Sequence, residues 1–334
     1  MSGFRTLRGF EEALRPPIDV RRARLTPAVL SSPRSGGAGE AAARFARVAR
    51  RTPEVMVKIT GRTRDGAHLR AHLDYISRNG SLSLEGADGE FLSGRSEVQG
   101  LAKDWAEEAA MEPGRRRDRP VSLSVVLSMP AGTEAWRVQD AARAFASEIF
   151  GERFAYVFVL HDEGRHPHVH LTVRTLGRDG ERLNPRKADL QVWREHFARA
   201  LRDRAVEAEA TPRRARGVTR KAEQGAVRRM RERFAVGRGP LPRVLDAAYR
   251  DALEGDIGRR QPWREALRDR EAKIRKLLVA ESLRLKSSTR SEERLLGAIV
   301  ERFVRSRADP QTREDALRRR SAELRERGGV DRDR

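Results

Sequence analysis

The spacing of apolar and polar positions divides the middle of the chain into alternating strands and amphipathic helices. Val55-Met-Val-Lys-Ile-Thr60 alternates with period two, as a half-buried strand does. A turn is expected over Gly61 to Gly66, and helical spacing takes over in residues 67–77. There Leu69, Leu73 and Ile76 form an apolar stripe, and Asn79-Gly80 is a C-terminal stop signal. His68, His72 and Tyr75 fall at i, i+4 and i+7 on a neighbouring face. Short strands or loops with several glycines fill 81–95, and Glu97 to Met111 reads as a helix with Trp105 packed inward. Val121-Ser-Leu-Ser-Val-Val-Leu-Ser-Met129 is the clearest strand in the chain. Pro130-Ala-Gly-Thr133 then turns into a helix over 134–150, with Thr133 as its N-cap. Phe154-Ala-Tyr-Val-Phe-Val-Leu160 has the continuous apolar character of a buried strand, and His168-Val-His-Leu-Thr-Val173 alternates again. Asp189 to about Glu209 is an amphipathic helix through Leu190, Trp193, Phe197 and Leu201.

This order, β-α-β-α-β-β-α with short extra pieces after the first helix, predicts a two-layer α/β domain over 53–209. Strands joined by a tight turn must be antiparallel, so the sheet is mostly antiparallel. Helices cover one face, and the other is left for the histidines and a substrate. Residues 1–52 are a basic, flexible N-terminal arm rich in Arg, Pro, Gly and Ser, with helix expected over 40–50. A basic linker spans 210–240. Residues 241–334 form a helical region with apolar spacing at Leu245, Ala248 and Leu253, at Ile274, Leu277 and Leu278, and at Leu295, Ile299 and Phe303.

Charge changes this picture most. The 334 residues carry a net +21 with pI near 11.3, an excess that points to a polyanion, most simply nucleic acid. Only seven of the 70 cationic residues are lysine, and arginine binds phosphate through a planar fork. No stretch approaches the length of a membrane span, and no apolar signal-peptide core follows the amino terminus. Zero cysteines exclude disulfides, thiolate metal sites and a cysteine nucleophile, and fit a reducing compartment such as the bacterial cytoplasm.

Four of the seven histidines lie within residues 161–170. The Glu-Gly-Arg-His-Pro piece is turn chemistry, so the two strands fold back on each other and His161 meets the start of the second. His168 and His170 project from one sheet face. Three imidazoles converging in this way suit a divalent ion with an open coordination position. His166, ahead of Pro167, belongs near the site rather than among the ligands. On a strongly basic protein such an ion suggests phosphodiester chemistry. With no cysteine and no Gly-x-Ser-x-Gly elbow, the nucleophile is water or tyrosine. Of the three tyrosines, Tyr156 sits in an apolar strand and Tyr249 in the C-terminal helical region. Tyr75, sharing a helix face with two histidines beside Arg78, is the favoured nucleophile.

Tyr75-Ile-Ser-Arg-Asn-Gly80, Val125-Val-Leu-Ser-Met-Pro-Ala-Gly-Thr133 and His161-Asp-Glu-Gly-Arg-His-Pro-His-Val-His170 resemble the three ordered motifs of relaxases. These are mobilisation nucleases of the HUH class, here most like the T-DNA border nickase type. The resemblance extends to Ala210-Thr-Pro-Arg-Arg-Ala-Arg-Gly217 and covers about 53–232. It implies metal-dependent, sequence-specific nicking of single-stranded DNA at an origin of transfer, which initiates conjugative mobilisation. Tyr75 would remain as a 5′-phosphotyrosine, and His161, His168 and His170 would hold Mg²⁺ or Mn²⁺. Free tyrosine has a pKa of about 10, so a metal or base must help remove its proton. Glu163, where the family usually has Asp, is a candidate to orient a histidine. His72 is a candidate for proton handling. Arg78, Arg165, Arg174, Arg213, Arg214 and Arg216 are candidate DNA contacts, Arg174 standing where the family often carries Asn. Accessory DNA-binding proteins and a secretion coupling factor are the partners implied.

Three other readings stay open on sequence. A rolling-circle initiator or transposase of the same class would use Tyr249. A non-catalytic DNA-binding protein would hold a structural metal, and a metal-dependent hydrolase would use water and form no covalent adduct.

Overall fold

In the computed structural model the described residues are 38–112, 119–162, 166–213, 215–218, 223–254, 262–307 and 315–319. In chain order they give α1 (Ala38–Ala49), β1 (Met56–Thr63), α2 (Gly66–Ile76), β2 (Leu84–Gly86), β3 (Phe91–Leu92) and α3 (Gly94–Ala110). Then come β4 (Ser122–Ser128), α4 (Ala135–Ile149), β5 (Tyr156–His161), β6 (His168–Arg174) and α5 (Lys187–Arg202). Last are α6 (Gly225–Ala235), α7 (Arg243–Glu254), α8 (Pro262–Lys286) and α9 (Ser291–Arg305). Two compact units contain them, with described residues in Pro16–Ala210 and in Thr211–Arg334.

The first unit is a six-stranded sheet in the order β1-β4-β6-β5-β2-β3, and every neighbouring pair is antiparallel. Alternation along the strands decides what each face meets. Leu123, Val125 and Leu127 of β4, with Val169, Leu171 and Val173 of β6, enter one core. Phe145 of α4 and Trp193, Phe197 and Leu201 of α5 fill it from the helix layer. This is the α/β sheet-and-helix architecture that the apolar spacing predicts.

The opposite face is shared. At its β5 side it carries α2 and α3, through Leu69, Leu73, Ile76, Val98, Ala102 and Trp105 packed on Val157 and Val159. An 11-residue helix such as α2 is marginal alone. Its three fully buried stripe residues contribute about 1.5–3 kcal/mol each, which is enough to seat it. Asp65 caps its start by accepting from the His68 backbone N–H at 2.7 Å.

Three local expectations change. β1 runs on to Thr63 through an irregularity between Ile59 and Gly61, because the long β4 keeps pairing it as far as Ser122. Thr63 and Ser122 hydroxyls meet there at 2.6 Å. Thr133 does not cap α4: its hydroxyl donates back to the Pro130 carbonyl at 3.0 Å, and Glu134 occupies the N-cap position. α5 stops at Arg202, before Ala205 adopts a left-handed φ of 57°. The helix expected over 40–50 is present as residues 38–49, seated by buried Phe45 and Val48. Arg47 holds it to buried Glu209 at 2.8 Å.

In the second unit α8 and α9 pair through Ile274, Leu278, Leu285, Val300 and Phe303. Buried Arg307 is ion-paired to Glu271 at 2.6 Å and donates to the Ala215 carbonyl at 3.1 Å. Leu295, part of the apolar spacing, is exposed. No helix among the described residues is long and apolar enough to cross a membrane.

Candidate active site

The β5–β6 hairpin makes His161 and His168 register partners, and His170 lies opposite Val159. Val169 and Leu171 turn into the core, so the three histidines share the other face. Ring centroids are 4.5 Å (His161–His170), 5.1 Å (His168–His170) and 5.3 Å (His161–His168) apart. One ligand nitrogen from each falls within 4.8 Å of the others.

Backbone carbonyls fix two of the rings. His161 Nε2 lies 2.7 Å from the Ile76 carbonyl oxygen, to which it can only donate, which leaves Nδ1 as the nitrogen that can face an ion. His168 Nδ1 donates likewise to the His166 carbonyl at 3.0 Å, which frees its Nε2. His170 is driven down to about 3 by burial first, then by His161, His168, His72 and Arg78. It is therefore neutral at ordinary pH. Imidazoles oriented by outer carbonyl acceptors are a donor set that suits a divalent ion, and the three residues fit one.

Tyr75 is 67% exposed, and its ring stands edge-on to His170, 6.1 Å between centroids and 90° between planes. The next residue, Ile76, is buried and lends its carbonyl to His161, so the end of α2 is tied to the histidine cluster. Beyond it the chain reverses through left-handed Arg78 (φ 54°), Asn79 (φ 57°) and Gly80 (φ 86°). At Gly80 a Cβ would lie 2.2 Å from the Arg95 nitrogen, so only glycine fits.

His72, one turn before Tyr75, reaches down to the sheet. Its Nε2 is 2.9 Å from the hydroxyls of both Ser124 on β4 and Thr172 on β6. Burial, then His68, lowers its pKa to about 4. The unfolded chain thus takes up this proton first as pH falls. The stability gained from neutral His72 is complete above about 6.5 and lost between there and about 4. Unfolding midpoints in urea are expected to drop across that window. His72→Gln should flatten the drop in part, since His170 shifts with the same sign.

The other expected residues divide. Arg78 is exposed and close enough to act on His170. Arg174 ends β6 at the far end from His168 and is paired with Glu108 of α3. Arg213 and Arg216 belong to the second unit. Glu163, Arg165 and Arg214 lie outside the described residues. The sequence reading missed Ser124, Thr172 and the Ile76 carbonyl. Serines at 122, 124 and 128, alternating on one face of β4, were the signal for the first.

An antiparallel sheet backed by helices, with a three-histidine cluster on it and a tyrosine beside the cluster on a short helix, agrees with the fold that the resemblance to relaxases implies. Residues 75–205 match the family model described as relaxase, MobA/VirD2-like, nuclease domain. The chain is 26% identical over 199 residues to the T-DNA border endonuclease VirD2 of Rhizobium radiobacter, covering 54% of this chain and 47% of that protein. Against the VirD2 of Agrobacterium fabrum it is 27% identical over 133 residues, covering 36% and 30%. The chain thus spans half or less of the length of these curated relatives. A solved structure bearing on the molecular basis of vancomycin resistance transfer in Staphylococcus aureus overlays with a TM-score of 0.31 at 14% identity. That overlay covers 48% of this chain and 99% of that one.

Proposed function

We propose that this protein is a metal-dependent relaxase that nicks one strand of single-stranded DNA at an origin of transfer and keeps the cut end on Tyr75. The observation that carries this reading is the exposed Tyr75 ring standing 6.1 Å from His170, at the edge of the histidine cluster. In the nicking step the Tyr75 phenolic oxygen forms a bond to phosphorus as the P–O3′ bond breaks. The departing 3′-oxygen takes up a proton, and the 5′-phosphate remains as a phosphotyrosine. Because one phosphodiester replaces another, a 3′-hydroxyl can reverse the step and rejoin the strand.

His161, His168 and His170 would hold the ion. When bound, Mg²⁺ or Mn²⁺ supplies charge stabilisation to the phosphate oxygens and polarises the phosphorus. The carbonyl tie from Ile76 to His161 keeps the tyrosine helix in register with the cluster, which is the positioning that in-line attack needs. Buried, neutral His72 serves as a peg between Ser124 and Thr172 as well as a candidate for moving the phenol proton. Arg78 would neutralise phosphate beside the cluster.

The deciding experiment incubates the full chain with Mn²⁺ or Mg²⁺ and single strands from candidate origins. A protein–DNA band that survives denaturation is expected, and nicking without such a band would give the reaction to water instead. Binding to those strands should weaken steeply with salt, log K falling by about 0.7 per log salt for each phosphate neutralised. A slope near zero would contradict it.

A further inference from the structure

The pairing register carries a row of residues across the sheet from the histidine cluster to the edge strand. Lys58 of β1 lies opposite Val126 of β4, Val126 opposite His170 of β6, and His170 opposite Val159 of β5. One row along, Met56, Ser128, His168 and His161 line up in the same way. Residues directly opposite in antiparallel strands share a face. Met56 and Lys58 therefore project on the histidine side, while Val57 between them is buried in the opposite core. Both are exposed. Neighbouring strands lie about 4.8 Å apart, so β1 runs about 10 Å from β6. No hydrogen bond or ion pair engages the Lys58 ammonium among the described residues.

The helix that carries Tyr75 follows β1, rests His72 on Ser124 and Thr172, and ends against Val157 and Val159, where the Ile76 carbonyl meets His161. Its end thus lies on the β5 side of the cluster, whereas Met56 and Lys58 lie on the β1 side. A strand of DNA with one phosphorus at the cluster, attacked from the Tyr75 side, has the β4–β1 half of the face left to cross.

We propose that Lys58 holds a neighbouring phosphate of the scissile strand, with Met56 as the apolar contact beside it, so that β1 and β4 form the track on which the strand is laid. This rests on the nicking reading. A lysine is a compact point charge that accepts a phosphate in any orientation, and a methionine adapts to whichever base or sugar lies above it. Lys58 stands outside residues 75–205, so the family match says nothing about it. It is a positioning residue: it sets where the strand lies and does not touch the reacting atoms.

The test uses the full chain and single-stranded origin oligonucleotides in which one phosphate at a time is replaced by a neutral methylphosphonate. Lys58→Ala should raise KM for nicking by about tenfold and lower the salt slope of binding by about 0.7, the share of one phosphate. The rate at saturating DNA should stay within about a factor of two of wild type, and Lys58→Arg should restore KM. Wild type should lose affinity at one methylphosphonate within two phosphates of the nick, and Lys58→Ala should be blind to that same replacement. A Lys58→Ala protein with unchanged KM and salt slope overturns the proposal. So does one whose methylphosphonate profile matches wild type at every position. If no strand is nicked by wild type, the nicking reading fails, and the binding profile still decides whether Lys58 contacts a phosphate.

Discussion

Tyr75→Phe is expected to abolish the denaturation-resistant protein–DNA adduct and to lower nicking by roughly 10⁴-fold or more, the scale on which loss of a nucleophile is felt. The substitution removes one oxygen and nothing else. Tyr75 is 67% exposed, so its hydroxyl contributes little to folding and the melting temperature should not move. Loss of activity without loss of stability would then belong to the chemistry. Tyr249→Phe is the control. Tyr249 sits on α7 in the second compact unit, and both adduct and nicking should survive its change. The reverse outcome, an adduct lost with Tyr249 and kept without the Tyr75 hydroxyl, would return the protein to the rolling-circle reading. Nicking by Tyr75→Phe at the wild-type rate would mean that water is the nucleophile.

The parts of this site that the sequence made legible share one property: they lie close together along the chain. His161, His168 and His170 are brought together by a single hairpin, and period-two alternation is enough to put two of them on one face. Strand β4 and the α2 stripe were legible for the same reason, since a local period of two or 3.6 encodes burial. What was not legible depends on docking. His170 and Tyr75 are 95 positions apart and meet only because Leu69, Leu73 and Ile76 settle on Val157 and Val159. No residue letter announces that the Ile76 carbonyl receives the His161 N–H, because every residue has a carbonyl. Likewise Ser124 and Thr172 become partners of His72 only through the β4–β6 register. The pairing of Arg174 with Glu108 is a tertiary event of the same kind, and it occupies an arginine that the sequence left available for DNA.

Loss of one cluster histidine should cost nearly as much as loss of the tyrosine. His168→Ala is the cleanest choice, because His161→Ala also breaks the tie to Ile76 and His170→Ala removes the ring that faces Tyr75. A metal-supplied stabilisation of several kcal/mol corresponds to about 10³-fold or more at about 1.4 kcal/mol per tenfold. His168→Ala should lose that much nicking while still binding single strands with the wild-type salt slope, because phosphate contacts elsewhere carry the binding. Chelation of the wild-type protein should have the same effect and be reversed by added ion. The donor set bears on which ion restores it best. Mg²⁺ prefers oxygen ligands in near-ideal octahedral geometry, whereas imidazole nitrogen suits transition ions. Mn²⁺ should therefore restore activity at lower concentration than Mg²⁺. Protons should compete weakly at one proposed ligand, since His170 stays neutral down to about 3 and would bind an ion in that form. Metal-free protein that nicks at the wild-type rate would remove the ion from the mechanism. A His168→Ala protein that still nicks fully in Mn²⁺ would show that the three rings are structural, and the charge on the phosphate oxygens would then have to be met by arginines such as Arg78.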